Sequence, residues 1–130
     1  MSAWEVIELG AGFPAPVGAY SPVIRAGEFL FVSGQVPTDA QTGEVVGSTV
    51  AEQTRYVIEK LGRVLMAAGS SLRAVVSVNA YLSDIQDWDD FNAAYRAAFS
   101  PPYPTRTTVG AGLHGVLVEI SAIARTESAG

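Results

Sequence analysis

The feature that most constrains this chain is a pair of segments near its C-terminus, Pro104-Thr105-Arg106-Thr107-Thr108-Val109 and Val116 through Ala124. Both are dense in β-branched and apolar residues, with Gly110, Gly112 and Gly115 between them, so they read as two strands joined by a short glycine-rich connection. Each holds one charge among groups that favour burial: Arg106 in the first and Glu119 in the second. A buried charge is costly unless it is paired or hydrogen-bonded. Arg106 and Glu119 are therefore either a structural ion pair or a site for a small anionic molecule.

The rest of the chain supplies a scaffold for those two strands. Trp4 to Leu9 alternates apolar and charged residues, as a half-buried first strand does, and a Gly/Pro-rich loop follows over residues 11–21. Val23-Ile24-Arg25 and Phe29-Leu30-Phe31-Val32, with a turn at Ala26-Gly27, form a hairpin whose second strand ends at Ser33-Gly34-Gln35-Val36-Pro37. Thr49 to Ala68 is the clearest helix: Thr49 and Glu52 make a capping-box pattern, and Gly69 supplies the stop. Its apolar stripe runs through Val50, Thr54, Val57, Leu61, Val64 and Ala68, widened by Ile58 and Leu65. Val75 to Leu82 is the next strand. Asp87 then caps a second helix with Trp88, Phe91, Tyr95 and Phe99 on its buried face, and Pro101-Pro102 stops it.

The order β-β-β-α-β-α-β-β follows, an α+β chain of 130 residues read as one domain over 1–130. Two helices cover only one face of a sheet of about six strands, so the other face needs a partner. Charged residues are 16% of the chain, below the usual quarter or so, which also favours an oligomer. A net charge of −5 without a Lys/Arg cluster argues against nucleic acid as a partner. The chain has no cysteine, which removes disulfides, thiolate metal sites and a thiol nucleophile. With no signal-peptide pattern and no apolar run near the ~18 residues that span a bilayer, the expectation is a soluble cytoplasmic protein with no membrane contact.

Few residues can do chemistry. His114 is the only histidine, so a metal cluster or a Ser-His-Asp triad is excluded. Asp84, Asp87, Asp89 and Asp90 read as charges at a helix start rather than as metal ligands. What remains is Arg106, whose planar fork suits a carboxylate, and Glu119, which set among Leu117, Ile120 and Ile123 suits a general base or acid.

Six pieces in order carry a resemblance. Gly18-Ala19-Tyr20-Ser21-Pro22, Phe31-Val32-Ser33-Gly34-Gln35-Val36-Pro37, Ala67-Ala68-Gly69-Ser70-Ser71-Leu72, Phe91-Asn92-Ala93-Ala94-Tyr95, Pro104 to Val109 and Val118 to Ala124 together resemble the Rid (YjgF/YER057c/UK114) family. The resemblance implies a chorismate-mutase-like fold, a six-stranded mixed sheet with two helices on one face. It also implies a homotrimer with active sites between subunits, and hydrolysis of reactive 2-enamine and 2-imino acids, released by pyridoxal-phosphate enzymes, to 2-keto acids and ammonia. On it, Arg106 grips the substrate carboxylate, Glu119 activates water, Tyr20 stands at the cleft mouth, Ser33 and Gly34 line the pocket, and Asn92 touches ligand. No cofactor or metal is implied, because an imine is already electrophilic.

Two departures from the family pattern follow, the first removing any thiol-based role and the second, in a connection that borders the cleft in the family, bearing on specificity. Thr108 stands where many members have cysteine, and Leu113 is followed by His114 where many have proline, in a shorter connection. Larger amino-dienoates such as 2-aminomuconate thus stand beside small imino acids as substrates. Two other readings stay open. A small-anion or keto-acid binding module would use the same Arg106 without turnover. A chorismate mutase would need several cationic groups, and only Arg106 offers itself.

Overall fold

Along Val118–Arg125 every second residue is buried: Val118, Ile120, Ala122 and Ala124 face a hydrophobic core, while Glu119, Ser121 and Ile123 face away. That alternation is what a strand covered on one side requires. The computed structural model describes residues 3–127. Their elements are β1 (Glu5–Val6), β2 (Val23–Ala26), β3 (Phe29–Gln35), α1 (Val50–Ala67), β4 (Val75–Leu82), α2 (Trp88–Ala98), β5 (Thr105–Gly110) and β6 (Val118–Arg125). Short 3₁₀ turns at Leu72–Ala74 and Ile85–Asp87 lead into β4 and α2.

The strands form one six-stranded mixed sheet in the order β1-β2-β3-β6-β4-β5, with β4 and β5 parallel and the other pairs antiparallel. This is the chorismate-mutase-like α+β arrangement. The last two strands, though joined by a short connection, are not neighbours: β4 lies between them. A parallel β4–β5 pair needs a crossover, and α2 provides it. The first strand is also shorter than the alternation of Trp4 to Leu9 suggests, because only Glu5 and Val6 pair with β2.

Helix α1 forms where the capping box places it. Thr49 Oγ1 accepts from the Glu52 amide at 3.1 Å, and Glu52 Oε1 accepts from the Thr49 amide at 3.2 Å. Gly69, at φ +88°, turns the chain out of the helix in a conformation that side chains with a Cβ rarely adopt. Val50, Thr54, Val57, Ile58, Leu61, Val64 and Leu65 are buried as the stripe predicts, together with Gln53. Gln53 donates to the Gly47 carbonyl at 3.0 Å and accepts from the Leu117 amide at 2.8 Å, pinning the start of β6 to the helix. Leu30, Leu61, Leu65, Leu82, Phe91 and Ile120 are fully buried in the same core, each contributing about 1.5–3 kcal/mol.

Helix α2 departs from its sequence reading at its start. Asp87 makes no side-chain cap; Asp84 instead accepts from the Gln86 amide at 2.9 Å, capping the preceding turn. Phe91, Tyr95 and Phe99 are buried, but Trp88 is 39% exposed, because it lies over Arg106 rather than in the core. The far face of the sheet exposes Val6, Phe29, Phe31 and Val109 at 41–45% each.

Candidate active site

Register decides where the two charges point. In β4, Val78, Ala80 and Leu82 are buried under the helices. Arg106 pairs with Val78 and so shares the helix-side face, whereas Glu119 pairs with Tyr81 on the open face. Two strand spacings, roughly 10 Å, and the thickness of the sheet separate their strands. The ion-pair alternative is thereby corrected: within one chain Arg106 and Glu119 cannot meet. The surroundings expected of Glu119 change too, since Ile120 points into the core and Glu119 shares its face with Ser121 and Ile123.

Arg106 is held by rings instead of acids. Its guanidinium carbon lies 4.6 Å from the centre of the Tyr95 ring, 5.2 Å from Phe91 and 5.4 Å from Trp88, an aromatic cradle worth about 1–2 kcal/mol. Among the described residues it makes no salt bridge; the ion pairs there are Arg25–Glu5, Arg63–Glu59 and Arg125–Glu28. It lines a cavity of about 310 Å³ with Asn92, Tyr95, Arg96, Tyr103 and Pro104. Burial pushes the Tyr95 hydroxyl up to about 12, against the pull of the Arg106 charge. That hydroxyl and Thr108 Oγ1, two residues along β5 from Arg106, are buried without a hydrogen-bond partner among the described residues.

The other predicted residues gather around β3. Ala122 and Ile120 of β6 oppose Val32 and Gln35 of β3, so the strand carries one extra residue, a bulge at Ser33-Gly34. A methyl group on Gly34 would overlap Glu119 Oε2 and lie 2.9 Å from its Cδ, so the glycine leaves the space that the carboxylate fills. Ser33 Oγ donates to the Ser21 carbonyl at 2.6 Å and its amide donates to the Pro22 carbonyl at 3.0 Å. Both donors of Ser33 are thus engaged within the chain, bracing the strand end against the loop before β2.

Tyr20, 52% exposed, lines a second cavity of about 430 Å³ with Ser33, Gly34 and Lys60. The Lys60 ammonium donates to the carbonyls of Val36 (3.0 Å) and Thr38 (2.9 Å) and to Thr38 Oγ1 (3.2 Å). Burial, and then the charge of Arg63, lower its pKa.

The predicted residues therefore fall in two groups: Tyr20, Ser33 and Gly34 line one cavity, with Glu119 beside Gly34, and Asn92 and Arg106 line the other. Sequence reading missed Lys60 and Arg96. Nothing in the apolar stripe of α1 marks Lys60. Arg96 was findable, since it follows Asn92 by four residues and so lies on the same helix face. It also corrects the view that only Arg106 brings a cation to this part of the molecule.

A six-stranded mixed sheet backed by two helices makes this a chorismate-mutase-like α+β protein. Residues 11–126 match the family described as Endoribonuclease L-PSP. A RutC family protein of Saccharolobus solfataricus is 46% identical over 114 residues, 86% of this chain and 90% of its own. The 2-iminobutanoate/2-iminopropanoate deaminase of Rattus norvegicus is 36% identical over 113 residues, 85% of this chain and 82% of its own. The crystal structure of RidA from the Antarctic bacterium Psychrobacter sp. PAMC 21119 superposes with a TM-score of 0.84 at 32% identity, covering 93% of this chain and 98% of that one. This chain belongs to the Rid (YjgF/YER057c/UK114) family.

Proposed function

We propose that this protein hydrolyses reactive 2-imino acids and their 2-enamine tautomers to 2-keto acids and ammonia, as a cytoplasmic homotrimer with active sites between subunits. The observation that carries this reading is Arg106: a guanidinium cradled by three rings, open to a cavity, with no carboxylate partner among the described residues. A planar fork held that way suits a substrate carboxylate in bidentate fashion. The rat relative's deaminase name supports the same chemistry.

Glu119 faces away from Arg106 in its own chain, so the base that meets the substrate is Glu119 of the partner subunit. The apolar side chains exposed on the open face, Val6, Phe29, Phe31 and Val109, favour such an association. Asn92 and Arg106 fix the imine carbon, and Tyr20 closes the cleft. The carboxylate takes a proton from water as the water oxygen bonds to the imine carbon and the C=N electron pair moves onto nitrogen. That proton passes to nitrogen, giving a carbinolamine; the carboxylate then relays the carbinolamine's hydroxyl proton to nitrogen as the C–N bond breaks, so that ammonia leaves and the carbonyl forms. Oxidation state is unchanged, and no cofactor is consumed.

The family description invokes RNA cleavage, which a net charge of −5 and a single, exposed histidine, His114, disfavour. The test is ammonia release from 2-imino acids generated in the cuvette by an amino-acid oxidase, compared with the rate without protein. Acceleration abolished by Arg106→Ala supports the reading. Keto-acid binding without acceleration would make the protein a small-anion binding module instead.

A further inference from the structure

The cavity beside Arg106 is more cationic than one carboxylate requires. Arg96 and Arg106 both line it, none of its lining residues is acidic, and neither arginine makes a salt bridge among the described residues. In a chain of net charge −5, two guanidinium groups share about 310 Å³. Arg106 is half-buried at one wall and Arg96 exposed at another, which gives the cavity a positive lining. Arg96 is exposed and makes no salt bridge among the described residues, so a substrate whose one carboxylate sits on Arg106 leaves it available to a second anionic group. The remaining walls are Pro104, Asn92, Tyr103, 45% exposed, and Tyr95, whose buried hydroxyl lacks a partner among the described residues.

We propose that this cavity is built for dicarboxylic substrates, with Arg106 on the carboxylate beside the imine carbon and Arg96 on a second, distal carboxylate. Asn92 and Arg96 stand one helical turn apart on α2, so the helix presents both along the length of an extended ligand. Tyr103, exposed in the same lining, offers a hydroxyl to the ligand. The proposal rests on the deaminase reading for its substrate class, 2-imino and 2-enamine derivatives of acidic amino acids. The hydrolytic step is the one already written; Arg96 takes no part in proton transfer and acts on specificity.

The test compares 2-iminoglutarate with 2-iminopropanoate, each generated in situ, on the full-length protein. The ratio of their kcat/KM values should favour 2-iminoglutarate and fall by about tenfold or more in Arg96→Gln, mainly through KM, because one charge-assisted contact is lost. Arg96→Lys should restore part of that ratio. A ratio unmoved by Arg96→Gln overturns the proposal and leaves the deaminase reading standing. If neither imine is hydrolysed faster than in buffer, the deaminase reading fails, and calorimetry with the stable keto acids decides. Binding of 2-oxoglutarate tighter than pyruvate, with the difference erased by Arg96→Gln, would sustain the dianion site; equal affinities would overturn it.

Discussion

Gly34→Ala tests the site through an atom that is not there. The added methyl would overlap Glu119 Oε2 and sit 2.9 Å from Cδ and 3.2 Å from Cγ, and no backbone atom is among its three nearest neighbours. The flexible carboxylate therefore gives way and the fold does not. The glycine's φ lies outside the left-handed region, so alanine fits the backbone and gains about 0.4–1 kcal/mol from a less disordered unfolded chain. Melting temperature should hold or rise slightly.

Activity should not hold. Moving a general base by about 1 Å costs on the order of 10²-fold, close to what Glu119→Gln loses by removing the base. Because both changes disable one carboxylate, the double variant should lose little more than either alone. The assay is ammonia release under saturating and limiting imino acid, alongside thermal melts of all three variants. A Gly34→Ala protein with undiminished kcat, or a double variant whose losses multiply to about 10⁴-fold, would refute the proposed coupling of Gly34 to Glu119.

Arg106→Lys should lower kcat/KM above about 100-fold, nearly as far as Arg106→Ala, since lysine cannot offer two parallel donors; melts should fall by only about 1 kcal/mol as the ring contacts are lost. A lysine variant with near-native activity would sink the bidentate grip. Tyr95 predicts an alkaline weakness: its pKa rises from 10.0 to about 12 on folding, so above pH 10 the unfolded chain releases the proton first. Stability is then complete below pH 10 and falls through pH 12, by about 2–3 kcal/mol in all, and Tyr95→Phe should flatten that decline in urea titrations at pH 9 to 12. Gln53→Ala strands the Gly47 carbonyl and the Leu117 amide and should cost about 2–4 kcal/mol by chemical denaturation; a loss under 1 kcal/mol would mean that water replaces the amide.

Local signals were legible wherever a residue's conformation depends on its near neighbours. The capping box of Thr49 and Glu52, the stripe of α1 and strand β4 stand where the spacing of residues put them. Arg106 stood out because an isolated charge in an apolar strand demands a reason, and six short pieces in family order made the fold readable before any coordinates. β5 and β6 are consecutive in sequence but not adjacent in the sheet; strand pairing is a long-range choice, and α2 carries the chain past β4 before β6 inserts between β3 and β4. Only that insertion put Arg106 and Glu119 on opposite faces, because adjacent positions in a strand alternate sides and register sets which side each takes. The same tertiary step set Glu119 in the space that Gly34 leaves open and brought Arg96 to the cavity of Arg106. The chain's residues determined which groups could do chemistry; which groups share a site was decided by pairing across the sheet, where partners distant in sequence become neighbours in space.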